Sequence, residues 1–103
     1  MTGPANQELL AARVRLPQHI VHRDFVAETV VLNLRTGKYH GLNPTAGRML
    51  EALEQAPTVG SVVPDLASEY GLEQARIERD LIDLCAGLLE RGLIEIVDEP
   101  SAG

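Results

Sequence analysis

VVLNLRTGKYHGLNPTAGRML, residues 30 to 50, passes from a strand through a turn into a second strand and then, with no linker, into a helix. From Glu28 to Leu34, Val30, Leu32 and Leu34 alternate with Thr29, Val31 and Asn33. That period of two belongs to a central strand, with the first three residues as its apolar face. Arg35-Thr36-Gly37 is a turn in which Gly37 supplies the positive φ that a short hairpin loop with a bulge needs. Lys38 to Leu42 then returns antiparallel. The register stays open: a two-residue loop pairs Leu34 with Tyr39, whereas a three-residue loop pairs Leu34 with Lys38 and moves Leu42 to the core face. Asn43-Pro44 starts a helix, because Asn is a good N-cap and Pro at the first helical position gives up an N–H that has no intrahelical partner.

On the N-terminal side, Val14, Leu16, Ile20 and Val21 between Arg13 and His22 read as an irregular strand, with Pro17 at an edge or bulge. On the C-terminal side three helices follow. Pro44 to Gln55 carries Ala46, Met49, Leu50 and Leu53 on one stripe. The next lies between Thr58 and Tyr70, with Ser61 favoured as its cap so that Pro64 falls in the first turn, and with Gly71 as its stop. The last, Glu73 to Arg91, places Ile77, Leu81, Leu84, Cys85 and Leu88 in phase and ends at Gly92. Leu93 to Val97 can add a terminal strand. Residues 1–12 and 99–103, with Gly, Pro, Ser and polar residues and little periodicity, read as flexible tails around a domain at 13–98.

The order of elements makes this an α+β chain, winged-helix-turn-helix-like, with a three-stranded antiparallel sheet followed by a three-helix bundle. A chain of 103 residues forms one domain with no room for a large internal cleft, so function belongs on its outside. Such shapes serve two purposes: a helix enters the DNA major groove, or an exposed strand edge captures an extended peptide. Charge separates them. The net charge is −6, and the last helix carries five acids (Glu73, Glu78, Asp80, Asp83, Glu90) against three bases (Arg76, Arg79, Arg91). A DNA-reading helix has the opposite balance, so a winged-helix DNA-binding regulator is the weaker alternative and nucleic acid is not an expected partner.

Chemistry is not indicated either. Cys85 is in phase with the core stripe and reads as a buried thiol. His19 and His22, three apart in a strand, fall on opposite faces and do not form a metal pair. No phosphate loop and no paired His on a helix occurs, so neither enzyme activity, metal nor cofactor is expected. The single Cys and the lack of a signal peptide point to the cytoplasm, and no apolar run is long enough for a membrane span.

The run VVLNLRTGKYHGLNPTAGRMLEAL, a Val-rich helix ending EYG and a long helix ending LLERGLIE together resemble the PqqD-like family of peptide-recognition domains. More narrowly, they resemble its free-standing members in lasso-peptide biosynthesis. The similarity covers about residues 14 to 97, and its most specific part is the strand, TG turn, aromatic-bearing strand and LN before the first helix. The resemblance implies a RiPP recognition element. Such a domain binds the leader segment of a ribosomally synthesised precursor as an added strand beside the third strand, in a groove against the third helix, and delivers it to a transglutaminase-like Cys protease and a cyclase.

Carried onto this chain, the implied edge is Lys38, Tyr39, His40, Gly41 and Leu42. A small apolar pocket draws on Val31, Tyr39, Leu42, Leu81 and Leu84, with Tyr39 the preferred wall and each of them equally a candidate for the core. Arg76, Asp80, Asp83 and Gly87 lie on the neighbouring stripe of the last helix. Asp80 and Asp83 are expected to meet basic leader residues and Arg76 an acidic one, with Gly87 leaving space.

Overall fold

A computed structural model describes residues 6–97. The chain runs α1 (Asn6–Ala11), β1 (Val14–Arg15), β2 (Ile20–Asp24), β3 (Thr29–Asn33), β4 (Tyr39–Leu42), α2 (Pro44–Gln55), a 3-10 turn (Gly60–Val62), α3 (Val63–Tyr70), α4 (Gln74–Glu90) and β5 (Glu95–Ile96). β2, β3 and β4 form an antiparallel sheet in that order, with β3 central, and β1 pairs with β5 in a separate two-stranded sheet. The irregular strand expected from Arg13 to about His22, with Pro17 at an edge or bulge, is two strands in two sheets, broken around Pro17, whose ring gives the ladder no N–H.

The N-terminal stretch differs from the expected tail. Asn6–Ala11 is helical, Leu9 is buried in the core, and Ala12 accepts a hydrogen bond from Val59 N at 2.8 Å. A helix this short does not hold by propensity, so its docking against α4 and the 3-10 turn is what fixes it. Residues 1–5 and 98–103, including the expected C-terminal tail, lie outside the described residues.

α2 begins where Asn43 and Pro44 place it: Asn43 Oδ1 accepts from Ala46 N at 2.8 Å, and Pro44 occupies the first turn. Pro64 likewise falls in the first turn of α3, but Ser61 is not its cap. Ser61 lies inside the 3-10 turn and exchanges hydrogen bonds with Thr58, while α3 starts without a side-chain cap. Gly71 and Gly92 take positive φ at the ends of α3 and α4, as their positions require. Arg48 on α2 binds Glu51 and reaches Glu69 on α3 through Nε and Nη2, a pairing that pushes its pKa up.

The helices cover one face of the three-stranded sheet. The core is built from Val31, Met49, Leu50, Leu53, Leu66, Ile77, Leu81, Cys85 and Leu88 together with Leu9, Val14, Ile20, Leu93 and Ile94. α2 is the helix packed on β3 and β4, whereas α4 packs on α3 and α1. Thr29 is a buried polar residue, and its Oγ1 donates to Asp24 Oδ1 at 2.8 Å. Gly47 on α2 sits directly over it, and a Cβ there would run into Thr29 Oγ1.

β3 is the central strand, but its apolar face is the other one. Thr29 and Val31 point inward, while Val30 and Leu32 are half-buried on the outer side and Leu34, 58% exposed, has left the strand. With Val30, Val31 and Leu32 consecutive, both faces carry apolar residues, and the fit of Gly47 against Thr29 selects which one is covered.

Candidate peptide-binding edge

β4 closes one side of the sheet and, among the described residues, has no strand beyond it. Its register on β3 pairs Leu32 with Tyr39, Val31 with His40, Val30 with Gly41 and Thr29 with Leu42. Asn33 N donates to Lys38 O at 2.8 Å, so the connecting loop is Leu34 to Gly37, longer than either alternative read from the sequence. Asn33 sets this loop: its Oδ1 accepts from Arg35 N at 2.8 Å and Thr36 N at 3.2 Å, and Gly37, at φ 75°, returns its N–H to Asn33 O.

The register decides which backbone groups are free. In an antiparallel ladder, pairs that exchange hydrogen bonds alternate with pairs that do not. Asn33–Lys38 is a bonded pair, hence so are Val31–His40 and Thr29–Leu42. The N–H and C=O groups of Tyr39 and Gly41 therefore point away from β3, along the open edge.

The same register sorts the side chains. His40 and Leu42 lie on the inner side with Val31, both half-buried, and Leu42 packs against the core. Leu42 does face the core as one alternative had it, though through the inverted face of β3. Tyr39, expected as a wall of an inner pocket, is on the outer side and 70% exposed. Lys38 is exposed just before the strand. Val31 and Leu81, also expected as walls, are 1% and 0% exposed and belong to the interior, where no guest touches them without repacking.

On α4 the expected stripe separates by depth. Arg76 and Asp83 are exposed, Asp80, Leu84 and Gly87 are half-buried, and Leu84 packs at the margin of the core. A Cβ on Gly87 would meet only Arg91 Nη1, at 3.6 Å, so internal packing does not demand glycine there. Glycine within a helix costs about 1 kcal/mol relative to alanine. The two halves of the expected site rest on different supports, β4 on α2 and the α4 stripe on α3 and α1.

Sequence reading missed the outer face of the sheet. Val21, Leu32 and Tyr39 form one row across it, with Arg23, Val30 and Gly41 in the next. Val21, Phe25 and Tyr39 are exposed, and a shallow hollow of about 430 Å³ is lined by Val21, His22, Arg23, Phe25, Val30 and Leu32. The available signal was the second apolar set on β3, visible once Val31 is assigned to the core. Glu28, just before β3, also lies at this edge, with its Oε1 2.5 Å from where a Cβ on Gly41 would stand.

Among the described residues, no helix is long and apolar enough to cross a membrane. Cys85 is fully buried, and burial pushes its thiol pKa up to about 11, the direction opposite to that of a reactive thiolate.

Residues 28–94 match the family of Coenzyme PQQ synthesis protein D (PqqD). Comparison with curated proteins gives no match. Two solved structures resemble the chain over 82% of its length and 99% of theirs. One is TbiB1 in complex with the TbiA(beta) leader peptide, at 28% identity and a TM-score of 0.73. The other is a lasso peptide synthetase B1 complexed with the leader peptide, at 32% identity and a TM-score of 0.74.

Proposed function

The chain belongs to the PqqD family, and on that premise we propose that it binds the leader segment of a ribosomally synthesised precursor peptide as an added strand on the open edge of β4. The observation that carries this is the free edge itself: Tyr39 and Gly41 present unpaired N–H and C=O groups on a strand anchored by β3 and α2. Both solved structures it resembles hold a leader peptide, which supports the same ligand here. Backbone pairing gives affinity that tolerates sequence, and side chains at alternate guest positions give selectivity.

On this reading the inner guest side chains meet His40, Leu42 and Leu84, and the polar rim is Arg76, Asp80 and Asp83, with Gly87 giving room. Tyr39 and Gly41 bound the strand from the outer side, and Lys38 stands at its start. The role is delivery rather than catalysis, with no cofactor: holding the leader raises the local concentration of the precursor for a separate leader peptidase and then a cyclase of lasso-peptide maturation. The acidic balance of α4 speaks against duplex DNA as the ligand.

Fluorescence polarisation of a labelled leader, taken from a precursor encoded beside this chain, tests the reading against labelled duplex DNA under the same conditions. Sub-micromolar leader binding with none to DNA is the expected result. Binding to DNA alone, or to neither, would overturn it.

A further inference from the structure

Gly41 is the one residue of β4 without a side chain, and its outer side is not empty. The Oε1 of Glu28 lies 2.5 Å from the point a Gly41 Cβ would occupy. Glu28 reaches this point from the turn between β2 and β3, where its carbonyl accepts from Phe25 N at 2.7 Å and fixes the backbone. Among the described residues, its carboxylate takes no hydrogen bond and no ion pair. Arg23, on the same outer face and diagonally across β2 and β3 from Glu28, makes no ion pair with it. The carboxylate thus takes the place of a side chain on the open edge, an anion with no cation of its own.

We infer that Glu28 is a specificity-determining residue which selects a basic side chain, Lys or Arg, on the guest strand at the position opposite Gly41. The inference rests on strand addition at β4. Because the N–H and C=O of Gly41 face the open edge, the guest residue opposite exchanges both hydrogen bonds with it and projects its side chain to the same, outer side of the sheet. Directly opposed side chains start about 5 Å apart, within easy reach of a Lys or Arg stem. A carboxylate already standing over Gly41 meets that cation without reorganising the strand. The guest residue two positions along lies opposite Tyr39 and rests against its exposed ring. The expected leader pattern is therefore a basic residue two positions from the one that covers Tyr39, both on the side facing away from α2.

A glycine at position 41 fits this arrangement. Any larger residue would displace the Glu28 carboxylate and put its own Cβ where the anion now stands. The pair is solvent-exposed, so the preference is modest, about two- to five-fold in Kd, and declines with salt.

The test is a panel of labelled leader peptides in which each outward position carries Lys, Gln or Glu in turn, titrated into the wild-type chain, Glu28→Gln and Glu28→Lys. Glu28 is exposed and its backbone bond survives both changes, which circular dichroism verifies. The expected result is a preference for Lys over Glu at one outward position, lost in Glu28→Gln and reversed in Glu28→Lys. If the leader binds all three proteins with no such preference, or with one that Glu28→Gln leaves intact, the inference is overturned while leader binding stands. If no leader of the panel binds the wild-type chain, strand addition itself fails and the inference falls with it.

Discussion

His22 on β2 and Glu54 in the last turn of α2 meet at 2.6 Å, Nε2 to Oε1, across the covered face of the sheet. An ionised carboxylate only accepts, so the proton of this contact sits on Nε2. Among the described residues, the buried Nδ1 of His22 has no hydrogen-bond partner and lies 3.7 Å from Asp24 Oδ1. His22, Val31 and His40 form one row across the strands. The contact therefore ties α2 to the far side of the sheet whose near side is the open edge, and Gly47 over Thr29 fixes the same helix closer to that edge. Both attachments hold to the sheet the helix that also packs on β4.

Glu54→Ala is expected to leave the imidazole with both nitrogens unsatisfied and to destabilise the fold by about 1 to 2 kcal/mol. Urea denaturation measures it. In a double-mutant cycle with His22→Ala, the second substitution should have a smaller effect once the first is made, and strictly additive effects would show that the contact contributes nothing.

Gly47→Ala places a methyl group against Thr29. Alanine gains about 1 kcal/mol in helix propensity, whereas overpacking costs about 1 to 3 kcal/mol, so net destabilisation is expected. Thr29→Ala in the Gly47→Ala background removes the obstructing Oγ1. The double variant should be more stable than the sum of the single effects, although it also loses the hydrogen bond to Asp24. The midpoints of urea denaturation decide the sign.

The helices were legible because their ends are written in local chemistry. Asn43-Pro44, Gly71 and Gly92 stand where the caps require them, and α2 spans the residues its stripe indicates. The free edge was legible for a similar reason, since the TG turn and Asn43 confine β4 between a loop and a helix. What the edge presents was not legible. It depends on a loop set by the side chain of Asn33, and on a choice between two apolar faces of β3 made by helix packing over Thr29. Tyr39 changed sides with that choice. The α1 helix was hidden because it exists through the burial of Leu9 rather than through any strong periodicity.

Cys85 gives the fold a defined alkaline response. Its thiol pKa rises from 9.0 to about 11 in the folded chain. Between those values the unfolded chain has lost the proton that the folded chain keeps, so stability falls as pH rises through this window and levels off above it. The contribution is about 2 to 3 kcal/mol over the full window, relative to its value below the unfolded pKa. Cys85→Ala should lack this component, which appears as the difference between the two pH–stability curves. A disulfide reagent at pH 8 should label the native thiol only at the rate of opening, and immediate labelling would contradict the burial.

The register of β4 predicts an alternation that no side-chain argument supplies. Only Tyr39 and Gly41 direct backbone groups to the open edge, so guest residues opposite them exchange hydrogen bonds and the residue between them does not. Methylating one leader amide at a time removes one donor and adds bulk on the side where that donor pointed, while leaving the protein untouched. Methylation opposite Tyr39 or Gly41 should weaken binding by tenfold or more, about 1.4 kcal/mol, the order of a lost hydrogen bond together with a steric clash. Methylation of the amide between them points away from the sheet edge and should have a much smaller effect. A period of two along the leader, read by fluorescence polarisation, therefore identifies strand addition and its register together. A uniform response would mean that the leader is held by side chains alone, and a period nearer to that of a helix would place it in a groove rather than on the edge.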